Sequence, residues 1–310
     1  MKRSRGGSAI PRGLIVGGNS GTPPHMDKPA PRAIDHLVLP TAGLDIARRR
    51  LSAIGFTVAP DGIHPFGTVN CCVYMADGTF LEPLAVGDGD ATRDAASSGN
   101  VFVRRDRLFR ATCGEEGFSA VVLASDDADR DHAAFVASGI SGGDMLTFSR
   151  QARDAAGNVG TASFRLAFAA DTATSDAFLF TCQRVNVPAI DRGTLERHAN
   201  GVVGIREIVV GEHAVPFMRL VGRAAGGSGY EATPKVELAN AIVRLAGADD
   251  PQAVGGSGAA LSAIVFAVGD IGRGREVLDA GGIAYVADGE RLVVPPAPGQ
   301  GATFIFEEQN

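Results

Sequence analysis

The chain's clearest hint of chemistry is a carboxylate inside an apolar strand. Glu82 lies in the run Phe80-Leu81-Glu82-Pro83-Leu84. An ionised side chain there is costly unless it is paired or bound to a cation. His36 sits in the middle of a second apolar run, IDHLVL (34–39). If the two runs are neighbouring strands, ~5 Å apart, their inward side chains can share a ligand. His64 opens the stretch HPFGTVN (64–70), rich in turn formers, and Asn70 closes it. Imidazole titrates near neutrality, so His64 suits proton transfer or substrate contact. Each residue also has a plain structural role open to it: a hydrogen-bonded core histidine, a salt-bridged acid, a packed turn, and a turn-fastening amide.

The elements around these residues repeat. One unit, a short apolar strand, a helix ending near Gly, then further strands, recurs four times. The copies begin at IDHLVLPTAGLDIARRRLSAIGFTV (34–58), SAVVLASDDADRDHAAFVASGI (119–140), IREIVVGEHAVPFMRLVGR (205–223, the weakest) and LSAIVFAVGDIGRGREVLDAGGIAYV (261–286). A repeat of this length fixes the architecture before chemistry is discussed. Leu44, Ala47, Leu51 and Ile54 recur at helical spacing, and Gly55 closes that helix. FTVAP, NCCVYM and TFLEPLAV then read as strands, the last two joined at Ala76-Asp77-Gly78. The order is β-α-β-β-β. In unit two a hairpin is expected over 163–169 and 176–185, and a second Asp-Gly turn at Asp288-Gly289 in unit four.

These motifs together resemble the glyoxalase-like domain of the vicinal oxygen chelate superfamily. The resemblance rests on IDHLVL, the helix with GF at its end, HPFGTVN, FLEPL and RHANG (197–201), and is strongest over about 33–205. It implies an α+β protein built of tandem βαβββ modules that form two half-barrel domains. On that basis residues 1–31 are a disordered leader, 32–187 the first domain, 188–203 a linker and 204–310 a second, degenerate domain. The resemblance implies metal ligands at His36 and Glu82, a catalytic role for Glu82 and His64, and substrate contact through His64, Asn70 and His198. The cofactor would be one divalent metal (Zn, Fe, Mn, Ni or Co), which imidazole and carboxylate both suit. Unit two places Ala120 and Phe180 at the positions of His36 and Glu82, so a third donor must come from His64, His198 or, in another register, Gln183. The implied function is an enzyme of lyase, isomerase or dioxygenase type acting on a small oxygenated molecule in a barrel cleft. The rival is a metal-free binding protein of the bleomycin-resistance kind.

Composition narrows the field. With 310 residues and 45% hydrophobic content the chain can bury a large core. A net charge of −6 with scattered basic residues disfavours nucleic acid as a partner. No apolar run approaches the ~20 residues that span a bilayer. The basic, Gly- and Pro-rich start lacks an apolar signal segment, and Met26 is an alternative start. Four cysteines without a C-x-x-C pair point to buried thiols in a reducing, cytoplasmic setting. A small molecule is the expected partner, and a homodimer is compatible with the sequence.

Overall fold

The computed structural model describes Met1 and residues 31–153, 159–174, 176–186, 193–226, 234–247, 250 and 260–309. Residues 2–30 of the expected leader (1–31) and 188–192 of the expected linker (188–203) lie outside the described residues. Units one and two build one sheet. Unit one supplies β1 (Ile34–Pro40), α1 (Leu44–Ala53), β2 (Gly62–Ile63), β3 (Thr68–Asn70), β4 (Val73–Tyr74) and β5 (Phe80–Val86). Two connecting helices, α2 (Gly89–Ser97) and α3 (Val101–Cys113), lead to unit two. That unit contains β6 (Ala120–Ser125), α4 (Ala128–Ala137), β7 (Leu146–Arg153), β8 (Val159–Ala169) and β9 (Phe178–Asn186). The strand order is β2-β3-β5-β1-β6-β9-β8-β7, with β4 also on β5. The units join through the antiparallel β1–β6 pair, and the curl nearly closes where β2 meets β7.

The remaining units form a seven-stranded sheet. Its strands are β10 (Val202–Val210), β11 (Lys235–Glu237), β12 (Ile242–Leu245), β13 (Leu261–Val268), β14 (Val286–Asp288), β15 (Arg291–Val294) and β16 (Thr303–Glu308), with α5 (Val215–Ala224) and α6 (Ile271–Ala280). No helix among the described residues is long and apolar enough to cross a membrane.

Alternation along the strands creates two environments. Leu37 and Leu39 of β1 face outward with Ala47, Leu51 and Ile54 of α1, in a core that continues into the second sheet through Phe266, Phe304 and Phe306. Val38, Val122, Phe168 and Phe180 face the inside of the curl, where Val101 and Phe109 of α3 close it. The halves are clipped together by hydrogen bonds. Asn240 both accepts from the Ile34 amide (2.8 Å) and donates to its carbonyl (3.0 Å) at the start of β1. Glu116 accepts from the amides of Ala42 and Gly299.

The strand pattern departs from expectation at three places. FTVAP is not a strand: its amides leave the ladder, Thr57 donating to His198 Nδ1 and Ala59 to the Cys72 carbonyl. NCCVYM breaks into β3 and β4 at Cys71-Cys72, opposite Pro83 of β5, which has no N–H to continue the ladder. HPFGTVN is a hairpin rather than a pure loop, its second arm being β3. Gly67 makes that hairpin possible. Its φ is +91°, and a Cβ there would lie 2.6 Å from the Asp88 carbonyl oxygen and 2.9 Å from the Thr92 amide. Gly67→Ala is therefore expected to cost at least ~1–3 kcal/mol. Urea unfolding checks this, and an unchanged midpoint would contradict it.

Candidate functional site

The parallel β1–β5 register sets Val38 opposite Glu82 and His36 opposite Phe80, so both functional side chains point into the curl. His36 Nε2 lies 3.3 Å from Glu82 Oε2. On its other side His36 Nδ1 lies 2.7 Å from Asp35 Oδ1, and Arg184 of β9 completes the row with an Nη2–Asp35 Oδ2 distance of 2.8 Å. Asn70 of β3 donates to Glu82 Oε1 at 2.6 Å. His64 Nε2 stands 3.7 Å from the same oxygen, while its Nδ1 is 2.8 Å from Thr68 Oγ1. The result is a buried polar chain, Arg184–Asp35–His36–Glu82–Asn70, with His64 at its end.

Neighbouring residues such as Asp35 and His36 would ordinarily face opposite sides of a strand. Here the β1–β6 pairing slips between Ile34 and His36, a bulge that turns Asp35 toward His36. The pocket above the chain encloses about 470 Å³, including its open mouth, and six phenylalanine rings line it. Phe80 stacks on His36 at 4.4 Å between centroids, and Phe66 stacks on His64 at 5.0 Å. Arg150 of β7 also lines the pocket. No carboxylate partners Arg150 among the described residues; it lies over the Phe164 ring at 5.6 Å.

Burial works against every charge here, and pairing decides the outcome. Burial would raise Glu82, but the His36 hydrogen bond, the histidine charges and Asn70 hold it down to about 2. Burial also opposes the charged form of His36, yet Asp35 and Glu82 together raise its pKa. For His64 burial wins over the nearby Glu82 charge and drives the pKa down to about 4. Glu82 is thus an anion and His64 a neutral imidazole at ordinary pH.

The structure brings His36, His64, Asn70 and Glu82 into one cleft and leaves His198 out. His198 accepts from the Thr57 amide at 3.0 Å, donates to the Tyr74 carbonyl at 2.9 Å and packs edge-on against Phe56. Its expected role as a substrate contact gives way to docking the chain between the halves. Gln183 is no ligand either: it accepts from the Ala128 amide and donates to the Asp126 carbonyl at the start of α4. In the β6–β9 register Val122 lies opposite Phe180 as Val38 lies opposite Glu82, so Ala120 and Phe180 do occupy the positions of His36 and Glu82. Asp35, Arg150 and Arg184 were missed by sequence reasoning. Period-two spacing from Phe180 through Cys182 to Arg184 was available as a signal; the bulge that turns Asp35 was not. The buried thiols of Cys71 and Cys72 are poor nucleophiles, burial pushing them up to about 11 and about 12.

A family model described as a glyoxalase-like domain matches residues 34–220, more than half of the chain. The chain belongs to the glyoxalase-like domain family. No curated protein matches it. Among solved structures, a hypothetical protein from Staphylococcus aureus aligns at TM-score 0.63 with 14% identity, covering 89% of this chain and 99% of the other. A triple mutant of 4-hydroxymandelate synthase from Streptomyces coelicolor aligns at TM-score 0.57 with 12% identity, covering 91% and 93%. At these identities the likeness is one of fold: the α+β vicinal-oxygen-chelate architecture, shared along nearly the whole of each chain.

Donor chemistry tests the fit of a divalent metal to this glyoxalase-like site. Imidazole and carboxylate suit such an ion, and the Asp35 bond to His36 Nδ1 has the form that orients metal-binding imidazoles. Yet among the described residues no group of three or more His, Cys, Asp or Glu side chains is placed to hold an ion. His36 and Glu82 supply two donors, and Asn70, rather than a third ligand, occupies Glu82 Oε1.

His64 gives a pH prediction. Its folded pKa lies below the unfolded value near 6.5, so its neutral burial stabilises the fold fully above 6.5. That contribution is lost as pH falls toward about 4, on the order of 3 kcal/mol. Urea unfolding across this window should show the loss in the wild type and much less of it in His64→Gln. Parallel curves would contradict the prediction.

Proposed function

We propose that the cleft is the active site of a lyase or isomerase that moves a proton on a small oxygenated carboxylate. The buried chain Arg184–Asp35–His36–Glu82 carries this reading. Buried ion pairs are weak contributors to stability, and apolar replacements often serve the fold as well. Strongly perturbed ionisable groups gathered in a cleft mark a candidate functional site.

In this reading Arg150 takes the substrate carboxylate, as a guanidinium without an acidic partner can do bidentately. The substrate's carbonyl wedges between His36 and Glu82. His36, whose protonated form Asp35 favours, donates to the carbonyl oxygen and stabilises the negative charge that develops there. Loss of the His36 contact lets burial raise Glu82, turning a stable anion into a base for the adjacent C–H. Asn70 keeps the carboxylate aimed. His64, neutral and next to the same oxygen, is placed to relay the proton. A divalent cation, were one bound, would be held by His36 and Glu82 and would supply Lewis-acid chemistry there in place of the His36 proton.

A second reading, sequestration of an aromatic ligand, is supported by the six-ring lining of the pocket. One experiment separates the two. A panel of aryl 2-oxo and 2-hydroxy carboxylates is incubated in D₂O with the protein, and the C–H signal next to the carbonyl is followed by NMR. The enzyme reading expects exchange that falls about 100-fold or more in Glu82→Gln. Binding without exchange by the wild type would favour sequestration. Elemental analysis of the same samples, as purified and after reloading with Zn or Mn, reports whether exchange follows metal content.

A further inference from the structure

We infer that Thr68 is a positioning residue for His64: its buried hydroxyl donates to Nδ1 and fixes the imidazole as the tautomer with its hydrogen on Nε2, the nitrogen that faces the cleft. A neutral imidazole has one hydrogen for two nitrogens, and the bond made by one nitrogen sets the state of the other. The plane of the ring is fixed by its neighbours. Phe66 stacks on it at 5.0 Å and 19°, and Phe148 and Phe102 meet it edge-on at 5.5 and 6.0 Å. Held in that plane, Nδ1 points at Thr68 and Nε2 at Glu82.

The Thr68 hydroxyl decides between the tautomers. Its Oγ1 lies 2.8 Å from His64 Nδ1, a distance at which either group can be the donor. Thr68 is fully buried, and among the described residues its hydroxyl has no other hydrogen-bond partner. Nδ1 is therefore the one acceptor its hydrogen has. In the opposite tautomer Nδ1 would donate to Oγ1 and strand the hydroxyl hydrogen, which disfavours that form by about tenfold or more. The same form would turn the Nε2 lone pair toward the Glu82 carboxylate oxygen 3.7 Å away. With the hydrogen on Nε2 both conflicts vanish. Asn70 agrees with this assignment. Its Nδ2 gives to Glu82 Oε1 at 2.6 Å and lies 3.5 Å from Nε2, so the amide and the imidazole N–H are two donors converging on one oxygen, whose lone pairs can take both. Asn70 Oδ1 is turned away, against Gly62, where a Cβ would collide with it.

In the reaction proposed above, on which the catalytic part of this inference rests, His64 meets the substrate as a hydrogen donor. Glu82 takes the proton from carbon, and the C–H electron pair moves toward the substrate oxygen. The proton passes from Glu82 to Nε2 only as the ring's own hydrogen leaves for that oxygen. Carboxylate and imidazole are both restored, and one proton has moved from carbon to oxygen.

Nitrogen-15 NMR reads the tautomer without substrate or turnover. In protein labelled with ¹⁵N-histidine, long-range proton–nitrogen spectra separate a nitrogen that bears hydrogen from a bare one. The chain has six histidines, and the signals lost in His64→Gln belong to residue 64. At neutral pH the wild type is expected to show hydrogen on Nε2 and a bare Nδ1 shifted by the bond it accepts. Thr68→Ser should keep both nitrogens at the wild-type positions. Thr68→Val, which keeps the shape and removes the donor, should move Nδ1 to the position of an unbonded bare nitrogen. In the deuterium-exchange assay Thr68→Val should lower kcat about tenfold with KM changed less than about twofold, and Thr68→Ser should restore most of the rate; a side chain that only filled space would be served as well by Val. Hydrogen on Nδ1 in the wild type, an even mixture of tautomers, or an Nδ1 signal unmoved in Thr68→Val would each overturn the inference, and the wild-type spectrum decides it even if Thr68→Val does not fold. An unchanged kcat in Thr68→Val would overturn the positioning role. Nε2–H in the wild type with no exchange on any substrate would overturn the proposed reaction and leave the tautomer standing.

Discussion

Keeping Glu82 ionised inside an apolar barrel is the constraint on which the rest of the site depends. A carboxylate in that position must find compensation, and each neighbouring element contributes some of it. β1 brings His36, the bulge brings Asp35, β9 brings Arg184 and β3 brings Asn70. The hairpin around Gly67 brings His64 close enough to feel the same charge. None of these groups would stay buried and charged alone. They are mutually dependent, and an arrangement of that kind is stable in one geometry only.

The fold's internal symmetry shows how a site is made by breaking a repeat. The β1–β5 and β6–β9 pairs are equivalent in register, yet Ala120 and Phe180 replace His36 and Glu82. One module thereby supplies the polar floor and the other an aromatic wall. The second half of the chain carries the repeat without the cleft chemistry. The inner face of its sheet is a compact cluster of Val209, Ala263, Val265, Val293 and Ile305. Its charged groups pair among themselves, Arg244 with Glu207 and Asp250. Its contribution to the site is mechanical: Asn240 fixes the start of the strand that carries His36.

The sequence was informative where a local pattern matches a local cause. Apolar runs and Gly-closed helices marked the modules, and the Asp-Gly turns at 77–78 and 288–289 fall between β4 and β5 and between β14 and β15. The gathering of His36, His64, Asn70 and Glu82 followed from equivalent strands in one module. What stayed hidden depends on pairing between distant segments. Asp35 joins the site through a register slip that alternation alone denies. Arg150 and Arg184 reach it only because β7 and β9 curl round to face β1. FTVAP has the composition of a strand but gives its amides to His198 and Cys72. His198 shows the converse error: a motif residue whose two ring nitrogens are both occupied by backbone groups outside the cleft.

The central claim is that His36 and Glu82 are buried as a mutually dependent pair serving the cleft, not the fold. Urea unfolding of the wild type, His36→Leu, Glu82→Leu and the double variant tests it most directly. Each single variant strands the other partner and should cost ~3–5 kcal/mol. The double variant, in which Asp35 keeps its Arg184 partner, should cost less than either. Losses that simply add would show the two residues to be independent structural groups and would contradict the account.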